Sequence, residues 1–125
     1  MAEKKNALSE RLQEKDYKNR LIGIRTASDT GNLNSIIFTT KTLSTAFARH
    51  DFIRIDYGEE IAGRIEIQTR DYLIALSGER LEPVFEQIVL NRIHTIAETS
   101  KEINESQSAV RKIVIAALNT EEENE

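Results

Sequence analysis

Val89, Ile96, Ile103, Val110 and Ala117 fall at successive sevenths in the last third of the chain. A seven-residue apolar repeat is the mark of a long helix that buries one seam. Pro83 is the only proline in the 125 residues. Proline is tolerated in the first helical turn, where its missing N–H has no acceptor, so the helix is predicted to begin between Glu79 and Glu82. No glycine follows Gly78, and the spacing predicts a helix over 80–118. Its first half, Leu81, Val84, Phe85, Ile88, Val89, Ile93 and Ile96, carries a broad apolar face that suits a lid over a sheet.

Thr99 to Ser108 holds a single aliphatic residue, Ile103. Thr99 to Glu102 and Asn104 to Gln107 each read as a capping box, so a break there with Ala109 to Leu118 folding back is the competing arrangement. The absence of a glycine or proline favours continuity. A helix that outruns its sheet and becomes apolar again at Val110, Ile113, Val114, Ala117 and Leu118 needs shelter, and a second copy supplies it. Val89, Ile96, Ile103, Val110, Ile113, Val114 and Ala117 are therefore the expected oligomer interface.

The chain ahead of Gly78 reads as a sheet. Leu21 to Thr26 and Ser35 to Thr40 are β-branched runs separated by the turn formers of Ser28 to Asn34, a pair that could form a long-looped hairpin. Residues 41–49 place Leu43 and Phe47 four apart, which predicts a short helix. Phe52 to Tyr57, Ile61 to Gln68 and Tyr72 to Leu76 alternate as an antiparallel meander. A three-residue turn Gly58–Glu60 would pair Tyr57 with Ile61 and Ile53 with Ile65. A two-residue turn Arg70–Asp71 would pair Ile67 with Ile74 and Ile65 with Leu76. Ile53, Ile55, Ile61, Ile65, Ile67, Ile74 and Leu76 then form the core face, and Ala62, Arg64, Glu66, Gln68, Leu73 and Ala75 the other.

The predicted class is α+β: an antiparallel sheet of about five strands covered by the long C-terminal helix. Residues 1–20 are expected to hold a weakly ordered helix near 7–18, residues 21–118 one domain, and 119–125 a disordered acidic tail. That tail holds Glu121, Glu122, Glu123 and Glu125, which leaves 17 acids against 17 bases in the body of a chain whose net charge is -4. A neutral body speaks against duplex nucleic acid as partner. No apolar run approaches the ~20 residues of a membrane span, and no secretory leader is legible, so a cytoplasmic protein is expected.

Catalytic signatures are missing: the five glycines form neither a phosphate loop nor a dinucleotide fingerprint, and there is no cysteine. His50 and His94 fall in no metal-binding spacing, and Asp56, Glu59 and Glu60 form too short a run for a calcium loop. No metal or cofactor is implied. In the register above, Arg54 and Arg64 stand opposite each other, an arrangement that costs stability unless a carboxylate or bound anion lies between them. Asp56 and Glu66 are the neighbours able to neutralise them. Otherwise Arg54 and Arg64, with Gln68 and Arg70, could clamp a phosphate of a nucleotide or other small ligand. The expected function is a non-enzymatic binding or adaptor protein that homo-oligomerises through its C-terminal helix; the alternative is an oligomer that sequesters an anionic ligand at Arg54 and Arg64.

Overall fold

The computed structural model describes residues 20–27 and 33–118. The predicted N-terminal helix near 7–18, most of the turn at 28–34 and the acidic tail lie outside these. Among the described residues nine strands and one short α-helix follow in order: β1 (Leu21–Ile22), β2 (Ile24–Thr26), β3 (Ser35–Thr39), β4 (Ser44–Ala48), β5 (Phe52–Tyr57), β6 (Ile65–Thr69), β7 (Tyr72–Glu79), α1 (Glu82–Val89), β8 (Ile93–Ala97) and β9 (Ser108–Ala117). They build a five-stranded sheet ordered β1-β9-β7-β6-β5 and a four-stranded sheet ordered β2-β8-β3-β4. Both are mixed, since β1 runs parallel to β9 and β3 parallel to β8. The molecule is mostly β, and the expected α+β fold with a helix over 80–118 is overturned.

The run predicted as a first strand is shared between the sheets. Gly23, at φ +79°, lets the chain leave β9 after Ile22 and join β8 at Ile24. At the opposite edges, β4 passes through a 3-10 turn at Arg49–Asp51 directly into β5. One core lies between the sheets: Ile24, Ile36, Phe38, Phe47, Ile93 and Ile96 from the smaller, and Leu21, Ile65, Ile67, Ile74, Leu76, Val110 and Ile113 from the larger. Each fully buried isoleucine or leucine contributes roughly 1.5–3 kcal/mol of transfer free energy. Helix α1 adds Val84 and Ile88 to the same core, joined by Leu81 at its N-cap, and Phe85 stacks on Tyr57 at 5.5 Å.

The helix does begin at Pro83's first turn, but it ends at Val89. Asn91 adopts φ 58°, and the N–H groups of Asn91 and Arg92 close onto the carbonyls of Ile88 and Gln87. Asparagine enters the left-handed region far more readily than most residues, so it terminates the helix where a glycine was expected to be needed. Beyond it, the apolar spacing that read as helical is made by bulges. Arg25 pairs with Thr95 and Thr26 with Ile93, so His94 is an extra residue and Ile93 and Ile96 both face the core. Ser77 pairs with Lys112 and Gly78 with Val110, so Arg111 is extra and Val110 and Ile113 both face inward. A bulge converts the strand's period of two into a step of three, the same step a helix uses.

A third bulge corrects the meander. Phe52 pairs with Thr69 and Arg54 with Gln68, which turns Ile53 outward at 64% exposure in place of the predicted core position. The turn before β6 is also longer than predicted. Tyr57 pairs with Ile65 rather than Ile61, because a 3-10 turn at Glu59–Ile61 and left-handed Ala62 and Gly63 occupy the connection. The shift of four residues is even, so Ile55, Ile65 and Ile67 keep their predicted face. The β6–β7 register is as predicted, with Ile65 opposite Leu76 and Ile67 opposite Ile74. Residues 44–48, expected in a helix, form β4 against β3; Phe47 is buried edge-on to Phe38 at 5.9 Å. The predicted pairing of the first two runs does not occur, since β3 lies between β4 and β8.

Candidate functional site

The outer face of the five-stranded sheet is assembled by simple alternation along four strands. One row across it reads Arg54, Gln68, Leu73, Ala116, and the next Asp56, Glu66, Ala75, Val114. The β5–β6 half is charged and the β7–β9 half is apolar. The turn from Gly58 to Arg64 is held by hydrogen bonds from Gly63 N–H to the Gly58 carbonyl and from Arg64 N–H to the Ile61 carbonyl. It sets Glu59 and Glu60 at the end of the charged half. Between these parts lies an open groove of about 640 Å³, lined by Arg54, Asp56, Glu59, Glu60, Glu66 and Gln68 on its polar side and by Tyr57, Gly58, Ile61, Leu73 and Leu118.

Of the expected anion clamp, the structure brings Arg54 and Gln68 together as a cross-strand pair. Arg64 precedes β6, stands opposite no strand residue and, like Arg70, does not line the groove. Arg54 and Arg64 are therefore not opposed. Arg54 Nε donates to Asp56, 2.9 Å from Oδ2, and Arg64 Nη2 donates to Glu66 Oε2 at 2.9 Å. The Arg54–Asp56 pair is solvated, with side chains 66% and 44% exposed, so it contributes at most about 1 kcal/mol. Asp56 is paired with Arg54 and Glu66 with Arg64, so the acidic character of the groove rests on Glu59 and Glu60.

The residues expected at a helical oligomer seam are dispersed. Ile96, Val110 and Ile113 belong to the core, Ile103 is half-buried in the loop after β8, and Val89 is exposed at the end of α1. Val114 is 43% exposed on the outer face and Ala117 is exposed at the end of β9. The polar run 98–107 is the loop between β8 and β9. Arg80 donates to the carbonyls of Gln107 and Asn104, and Arg111 Nη1 to those of Thr99 and Lys101. Arg111 Nε also donates to Glu79 at 2.9 Å, and that hydrogen bond holds the Glu79 carboxyl below its ordinary pKa.

No known protein family, curated protein or solved structure matches this chain. Function must therefore be read from surface chemistry. His94 Nδ1 lies 2.6 Å from Thr95 Oγ1, a contact between neighbours at the β8 bulge, and no carboxylate orients the ring among the described residues. Nor do three metal-ligating side chains converge among them. No helix among them is long and apolar enough to cross a membrane. The sequence places Leu73 and Ala75 on this face without a site role, puts Leu118 at the end of a supposed helical seam, and leaves Ala116 unassigned. The signal for the β9 residues is the alternation of Val114, Ala116 and Leu118 against Ile113, Ile115 and Ala117, visible only once β9 is known to be a strand.

Proposed function

We propose that the chain is a non-enzymatic binding protein that self-associates and presents the outer face of its five-stranded sheet to a protein partner. The observation that carries this reading is the juxtaposition, on one face, of an apolar half with an acidic groove. Contiguous exposed apolar surface flanked by one sign of charge suits a ligand that is itself two-sided. The chemistry complementary to it is a cationic amphipathic segment, with aliphatic side chains on Leu73, Val114 and Leu118 and basic ones toward Glu59 and Glu60.

Titration of the isotope-labelled full chain with a lysine–leucine peptide, and with a glutamate–leucine peptide of equal length, tests this by amide NMR. The basic peptide is expected to shift the amides of the β5–β6 turn, Leu73 and Leu118, less so at high salt. Shifts confined to other surfaces, or none, would overturn the reading. The alternative, an anionic ligand on Arg54, Arg64, Gln68 and Arg70, predicts instead that inorganic phosphate or a nucleotide raises the melting temperature and that R54A with R64A abolishes the rise. The carboxylates around Arg54 oppose it electrostatically.

A further inference from the structure

Strand β9 is paired with β7 from Ala109 to Ala117, interrupted only at the Arg111 bulge, but on its other side β1 covers only Ser108 and Ala109. Thr99 N–H then bonds the Val110 carbonyl, and the Glu98 carboxylate accepts the Ile113 N–H at 2.7 Å. This bond shows which way the edge groups point: Ile113 faces away from β7, and by the antiparallel alternation so do the N–H and C=O of Ile115 and Ala117. Leu118 N–H, of the opposite parity, bonds the Asp71 carbonyl on the β7 side. Among the described residues nothing pairs with the outward groups of Ile115 and Ala117. Residues 113–118, Ile-Val-Ile-Ala-Ala-Leu, contain no charge, no proline and no glycine. Natural sheets blunt an exposed edge with such residues, so an edge without them is a template for another strand.

We infer that the occupant is a second copy of β9, antiparallel to the first about a two-fold axis at Ala116, joining two five-stranded sheets into one. This deepens the self-association in the reading above by naming its surface. Three features select that register. It leaves the Glu98 bond to Ile113 intact, while Ile115 of each copy exchanges hydrogen bonds with Ala117 of the other. It sets Val114, 43% exposed, opposite Leu118 of the other copy, 39% exposed, and Ala116 opposite itself. It also brings exposed Lys112 just past Leu118 of the other copy, the residue after which the sequence continues with four glutamates in seven residues. The strands are thus complementary in backbone, in apolar side chains and in charge.

The chain has no cysteine, so an A116C variant carries one thiol. Residues opposed in a non-hydrogen-bonded antiparallel pair have Cα atoms about 4.5 Å apart, within disulfide range. Sedimentation of the full chain at micromolar concentration is expected to show a dimer. A116K, which opposes two like charges at an exposed position, is expected to weaken it at least about tenfold with unchanged circular dichroism. A116C should oxidise to a covalent dimer while K112C does not. A monomer at every concentration, a dimer indifferent to A116K, or cross-linking that is no faster for A116C than for K112C would each overturn the pairing. A monomer would also remove the self-association on which the pairing rests, whereas a dimer indifferent to A116K or to the cysteine position would leave it standing; the peptide titration reads the outer face independently of all three.

Discussion

Gly78 offers the sharpest quantitative test of the fold. It lies at the bulge where β7 meets β9, opposite Val110. A Cβ built there would penetrate the Ala109 carbonyl oxygen and lie 2.9 Å from Val110 Cα and 3.0 Å from the Ala109 carbonyl carbon. All three are backbone atoms, so no side chain can rotate away. Two effects oppose each other in G78A. Restricting the unfolded chain favours alanine by about 0.4–1 kcal/mol. Forcing the strands apart costs about 1–3 kcal/mol of overpacking, with about 1 kcal/mol more for a weakened ladder hydrogen bond. The net expectation is a loss of roughly 1–3 kcal/mol. With a urea slope of about 2 kcal/mol per molar, the midpoint falls by roughly 0.5–1.5 M. G58A is the control, because no heavy atom lies within 4 Å of its Cβ position, and it should shift stability by no more than about 0.5 kcal/mol. A midpoint for G78A equal to or above the wild type would refute the close approach of β7 and β9 at this bulge.

Two further outcomes follow from named contacts. N91A is expected to cost about 1–2 kcal/mol in thermal or urea unfolding, because alanine resists φ 58° and the side-chain hydrogen bond to the Leu33 carbonyl is lost; a neutral effect would argue against the helix ending there. The Glu79 carboxyl, held below its ordinary pKa by Arg111, stabilises the fold above pH 4.5 and loses that contribution as pH falls through its lowered folded value. E79Q should therefore be less stable than wild type at pH 7, with the gap closing in acid; a gap that persists unchanged at pH 2 would sink this linkage.

Local chemistry was enough to locate much of this protein. Pro83 places the start of α1, Leu81, Val84 and Ile88 mark its buried face, and the alternation of Ile65, Ile67, Ile74 and Leu76 determines both the β6–β7 register and its core side. Side-chain period and turn residues act over a few neighbours, so one sequence suffices to read them. The candidate site was half legible for the same reason: Arg54 and Gln68 were assigned together, while the apolar half contributed by β9 was hidden inside a supposed helix. What tertiary structure alone decided is where the strands slip. Val110 and Ile113, or Ile93 and Ile96, are three apart, a step compatible with a helix or with a bulged strand, and only the partner strand selects between them. Ile93–Ala97 and Val110–Ile115 carry β-branched residues, but intrinsic strand preference is weak beside a seven-residue repeat. The division of Leu21–Thr26 between two sheets and the edge of β9, unpaired beyond Ile113 among the described residues, likewise depend on residues distant in the chain, because a backbone hydrogen bond across a sheet leaves no mark on the sequence of either strand alone.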